Sequence, residues 1–132
     1  MSAKFLIQAD RENGLIRIVM TGFFTRAELD RFIAARAKAH AQLGLPANAH
    51  STLNDVRRMK IQSPEMVEAF RELLAAPDYR SRRLAFVASP TLARSQLMRA
   101  CTGRDVRFFE DVEVAEAWLL EGAEGAASKQ AA

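Results

Sequence analysis

The sequence predicts an α/β domain: a mixed, mostly parallel sheet with an N-terminal antiparallel hairpin and four helices, in the order β-β-α-β-α-β-α-β-α. Two observations carry most of this. From residue 51 onward, short branched or aromatic apolar runs alternate with amphipathic stretches, the pattern of strands joined by helical crossovers. Such crossovers are right-handed and make the strands parallel. Before them, two apolar runs flank Asn13-Gly14, a strong hairpin signal.

The hairpin strands are residues 4–8 and 15–20. In the second, Leu15, Arg17 and Val19 point one way and Ile16, Ile18 and Met20 the other, and the Ile16 face is the better core candidate. Thr25-Arg26-Ala27-Glu28 then fits a capping box, with Phe24 and Leu29 placed as a hydrophobic staple. Leu29, Phe32, Ile33, Ala37 and His40 follow helical spacing, so a helix is expected over 26–43. Gly44 stops it and Pro46 prevents a restart. Leu53-Asn54-Asp55-Val56 reads as a short central strand running into a basic loop. Ser63 caps the next helix, Pro64 suits its first position, and Met66, Val67, Phe70, Leu73 and Leu74 point inward as far as residue 75.

The connector 78–83 reads as basic and exposed. Leu84-Ala85-Phe86-Val87-Ala88 is continuous and apolar, as in a strand buried on both faces. Ser89-Pro90-Thr91 opens a third helix as Ser63-Pro64 opens the second. Its inward positions are Leu92, Leu97 and Cys101, and Gly103 ends it. Val106-Arg107-Phe108-Phe109 is the last strand. Asp111 caps a fourth helix with Val114, Ala115, Trp118 and Leu119 on one side. Residues 1–121 form a single domain on this reading, and 122–132 a disordered tail.

Composition narrows the classes. The chain has 132 residues, 49% hydrophobic and 27% charged, with a net charge of +3, ordinary for one globular domain. No apolar run approaches the roughly 20 residues of a membrane span, and the run at residues 5–7 is too short to be expected to act as a signal peptide. A lone cysteine excludes an internal disulfide framework and fits a cytoplasmic protein. His40 and His50 make no metal-site spacing, and no nucleophile-base pair stands out. No catalytic residue, metal or cofactor is therefore assigned.

The element order resembles the STAS domains, named for sulfate transporters and anti-sigma-factor antagonists, above all the small stand-alone SpoIIAA-like bacterial proteins. Three stretches carry the likeness: Asn13-Gly14 leading into Leu15-Ile16-Arg17-Ile18-Val19-Met20; Leu53-Asn54-Asp55-Val56; and Val106-Arg107-Phe108-Phe109-Glu110-Asp111, leading to Ala117-Trp118-Leu119. The resemblance implies a regulatory or binding role without catalysis, with nucleotides or lipids among suspected ligands. It also implies a serine phosphorylated by a partner kinase at the start of the helix after the central strand, in an Asp-Ser-Ser-Gly pattern. Here Gln62 replaces the Asp, Ser63 matches the first Ser, and Pro64 takes the usual acceptor's place. Ser63 is the candidate phosphorylation site on this ground, ranked below reversible binding.

The expected site lies where parallel strands deliver side chains beside helix N-termini: Asp55, Arg57, Arg58, Ser63, Ser89, Thr91 and Arg94. Helix amides and arginine forks would hold an anion there. The expected partner is a protein or a small anionic or lipid-like ligand, and the chain itself could form a homodimer. The alternative is a nucleic-acid-binding accessory protein using Arg80, Arg82, Arg83, Arg57 and Arg58, weakened by few accompanying aromatic residues.

Overall fold

Asn13-Gly14 does turn the chain: Gly14 has φ 59°, and strand β1 (Lys4–Asp10) pairs antiparallel with β2 (Leu15–Gly22), Ile7 opposite Ile18. A computed structural model of the chain describes residues 2–46, 49–77, 80–101 and 106–131, with side chains as far as residue 121. The remaining elements are α1 (Arg26–Leu43), β3 (Ser51–Met59), α2 (Pro64–Ala75), β4 (Arg83–Val87), α3 (Leu92–Ala100), β5 (Val106–Phe109) and α4 (Val112–Ala131). The expected order β-β-α-β-α-β-α-β-α is the observed one. α4 continues through residues the sequence reading gave to a disordered tail. Gly103 lies outside the described residues, as do Asp78 and Tyr79.

The strands lie in the spatial order β1-β2-β3-β4-β5, parallel from β2 onward. Alternation along each strand divides the core in two. Ile16, Ile18, Met20, Leu84 and Phe86 face α1, α2 and α3, whose Leu29, Phe32, Met66, Phe70 and Leu97 complete the larger cluster. Leu15, Leu53, Ala85 and Val87 face α4, which contributes Ala115 and Leu119. The Ile16 face is thus core as expected, and the opposite face is core wherever α4 covers it.

The helix starts follow their caps. Thr25 and Glu28 form the expected box, and Gly44 ends α1 in the left-handed conformation. The stripe of α1 departs from the predicted one. Leu29, Phe32, Arg36, Ala39 and Leu43 are buried and Ala37 is exposed, because Arg36 turns inward toward His50. α3 starts two residues later than expected. Thr91 is its cap, its hydroxyl accepting from the Arg94 amide at 3.3 Å, and Ser89 is exposed ahead of it. Leu92 therefore falls on the outer face, 70% exposed. Val114 is likewise exposed, since α4 docks through Ala115 and Leu119.

β3 is longer than the predicted strand. Arg57 and Arg58 belong to it and not to a loop, because β2 continues past a bulge between Val19 and Thr21, and Thr21 and Gly22 pair with Arg58 and Met59. The connector before β4 is also less exposed than its composition suggests. Ser81 is buried, Arg82 donates to the Leu119 carbonyl at 2.9 Å, and Arg83 to the Trp118 carbonyl at 2.5 Å.

Candidate functional site

The C-terminal ends of β2 and β3 are held together by one side chain. Gln62, 6% exposed, accepts from the Phe24 amide at 2.8 Å and donates to the carbonyls of Gly22 at 3.1 Å and Lys60 at 2.5 Å. Its own backbone makes a reciprocal pair with the Gln96 side chain, at 2.8 and 2.9 Å. The loops after β2 and β3 and helix α3 are thus tied together, with both amide hydrogens and the carbonyl of Gln62 used. Close approach at this corner also needs Gly22, at φ 83°, where a Cβ would collide with the Ser2 carbonyl.

Beside this clamp an open groove of about 570 Å³ runs between the end of β3 and the start of α3. Arg57, Arg58 and Lys60 line it, with Ile61, Thr91 and Leu92. Ile61 is 52% exposed, so two apolar side chains stand in water among three cations. The three cations sit in solvent-facing positions, and Thr91 spends its hydroxyl on the helix amide.

The structure brings Arg57, Arg58 and Thr91 of the expected site together in this groove. Asp55 lies a step further down β3 and grips Arg57, Oδ1 to Nε at 2.9 Å and Oδ2 to Nη2 at 2.7 Å. That bond leads the causes holding the Asp55 carboxyl below its usual range. Asp55 therefore orients Arg57 and is not itself among the residues that line the groove. Ser63 caps α2, its hydroxyl accepting from the Met66 amide at 3.2 Å. Arg94 turns away, its guanidinium 5.9 Å from the centre of the Phe108 ring. The two equivalent caps are Ser63 and Thr91, and Ser63 with Ser89 is not such a pair.

Lys60, Ile61, Leu92 and Gln62 were not among the expected site residues. Ile61 carried the available signal: an isolated large apolar residue in an otherwise polar loop. Leu92 had helical spacing and passed for core. The sequential strand order has no reversal of winding, so the sheet lacks the switch point at which doubly wound sheets open a crevice. The groove forms where the end of β3 and its following loop meet the start of α3.

The opposite edge carries a buried polar cluster. Arg36 Nη2 donates to His50 Nε2 at 2.9 Å, and Ser81 Oγ lies 3.3 Å from the same nitrogen and 2.6 Å from Thr52 Oγ1. Burial, then the charge of Arg36, lowers the His50 pKa to about 4. His40 packs against His50 with ring centres 4.6 Å apart and the planes tilted by 41°, as a packed helix residue. Among the described residues no His, Cys, Asp and Glu cluster could hold a metal, and no helix is long and apolar enough to cross a membrane.

Protein-family models and curated proteins give no match to this chain. Among solved structures, an uncharacterized protein of the DUF3478 family with a SpoIIAA-like fold, from Shewanella loihica PV-4, superposes with a TM-score of 0.65. The alignment covers 89% of this chain and 94% of that one, at 17% identity. The chain has a SpoIIAA-like fold. At this identity the likeness is one of architecture. The SpoIIAA-like order of strands and helices places α2 after the central strand, so Ser63 does stand at the start of the helix where the resemblance looked for a serine.

Proposed function

We propose that the protein is a non-enzymatic STAS-like binding module whose groove takes a small amphipathic anion, a carboxylate or phosphate head with an apolar tail. The observation that carries this is the pairing of Arg57, Arg58 and Lys60 with the exposed Ile61 and Leu92 along one open groove. Cations attract the head group, and the apolar side chains gain by leaving water. Covering their exposed parts would contribute about 2–4 kcal/mol. With modest charge pairing, this places affinity roughly between millimolar and micromolar. Both histidines lie at the far edge of the sheet, roughly 25 Å along β3 at its rise per residue. The groove's own polar groups are cations and a capping hydroxyl, suited to holding an anion rather than to moving protons. A cytoplasmic setting accords with the single, buried Cys101.

The regulatory protein-partner reading rests on the fold, which such interaction modules share. The nucleic-acid reading loses ground, because its arginines divide between two edges. Arg82 and Arg83 begin β4 and hold α4 carbonyls, whereas Arg57 and Arg58 end β3.

Calorimetric titration with dodecyl phosphate below its micelle concentration tests the proposal. Saturable one-to-one binding is expected, at least about tenfold tighter than inorganic phosphate, and reduced about tenfold or more in Arg58→Ala/Lys60→Ala. Equal binding of dodecyltrimethylammonium, or full affinity in the double variant, would overturn it.

A further inference from the structure

Strand β1 lies at the edge of the sheet and is paired with β2 on one side only. Its other side presents a row of backbone donors and acceptors, a template for one more strand. The usual guards are weak here. The seven residues contain no proline, and the bulge of this region lies between β2 and β3. Charge is confined to the two ends, Lys4 and Asp10. Between them Leu6 is 56% exposed, beside Val19 at 39% on β2, on the face that α4 leaves uncovered.

We propose that β1 pairs with β1 of a second copy of this chain, antiparallel about Ile7, joining two five-stranded sheets into one. The charge pattern selects this arrangement. Centred on Ile7, Lys4 of each copy stands opposite Asp10 of the other, Phe5 opposite Ala9, and Leu6 opposite Gln8. Large side chains meet smaller or flexible ones, and both ends carry opposite charges. A slip to a centre on Leu6 sets Lys4 against Gln8 and Asp10 against Ser2, losing both ion pairs. Parallel pairing in register sets Lys4 against Lys4. Opposite charges on facing residues stabilise a strand pair and like charges destabilise it, so these end charges fix register more than they add affinity.

Asp10 has room for the new partner. Its Oδ2 takes Arg17 at 2.6 Å and Asn13 Nδ2 at 2.8 Å, and its Oδ1 takes only the Asn13 amide at 3.1 Å. A carboxylate oxygen accepts two bonds, leaving Oδ1 able to take the lysine. The interface is self-complementary, so it closes at two copies.

Sedimentation of the full chain across concentration tests this. A dimer is expected at about tens of micromolar, with Leu6→Lys raising its dissociation constant at least about tenfold and leaving circular dichroism unchanged. Should that variant lose its native spectrum, Lys4→Glu serves, at an exposed position, and should weaken the dimer by setting two acids together. Register is read by oxidation. Ile7→Cys faces itself in the proposed pairing and should cross-link faster than Leu6→Cys. A monomer at all concentrations, a dimer indifferent to Leu6→Lys or, where that variant is unfolded, to Lys4→Glu, or faster cross-linking at position 6 would each overturn the proposal.

Discussion

Two buried side chains set the behaviour of the two sheet edges, and each yields a prediction. Gln62 satisfies the Phe24 amide and two carbonyls at once. Gln62→Leu leaves these groups buried without partners and should cost about 2–4 kcal/mol, read as a lower denaturation midpoint with an unchanged slope. His50 predicts the pH response. Its folded pKa is about 4 against an ordinary 6.5, so between these values the unfolded chain binds a proton that the folded chain refuses. Its contribution is complete above pH 6.5 and is lost as pH falls toward 4. Between pH 7 and 5.5 stability should drop by about 1 kcal/mol, and His50→Gln should flatten that slope. An equal slope in the variant would place the titration elsewhere. Neither role was legible in the sequence. A glutamine or histidine in a loop looks the same whether it faces water or completes a buried network, and most partners of both lie far along the chain.

At the scale of elements, starts and stops were readable because they depend on neighbours in sequence. Thr25 with Glu28, Gly44, and Ser63 with Pro64 placed α1 and α2 at their observed bounds. Thr25→Ala should therefore cost about 1 kcal/mol in chemical denaturation. Where two caps competed, as Ser89 and Thr91 did, local chemistry alone did not choose, and the choice moved Leu92 from core to surface. Tertiary pairing also extended β3 over Arg57 and Arg58, which their polarity had given to a loop. For α4, Trp118 docks on Phe109 with ring centres 5.7 Å apart and lies between Arg83 at 4.8 Å and Arg107 at 5.1 Å. The ring is half-buried, so Trp118→Ala should cost about 2–3 kcal/mol, below the loss for a fully buried ring. Emission should lie between that of buried and exposed tryptophan.

At the scale of the whole molecule, periodicity from residue 51 onward gave the parallel strands, and the Asn13-Gly14 hairpin gave the antiparallel edge, since alternating strands and amphipathic helices admit few arrangements. It did not give the groove, which forms where the end of β3 meets the start of α3 and takes Ile61 and Leu92 out of the core. A module that binds an anion with an apolar tail there must be perturbed there first. The most direct measurement is a nuclear magnetic resonance titration with dodecyl phosphate, following every backbone amide. Saturable shifts are expected at Arg58, Lys60, Ile61, Thr91 and Leu92, with the His50 and Ser81 edge unmoved. Shifts confined to the Arg80, Arg82 and Arg83 edge, or a linear drift without saturation at the groove, would contradict this.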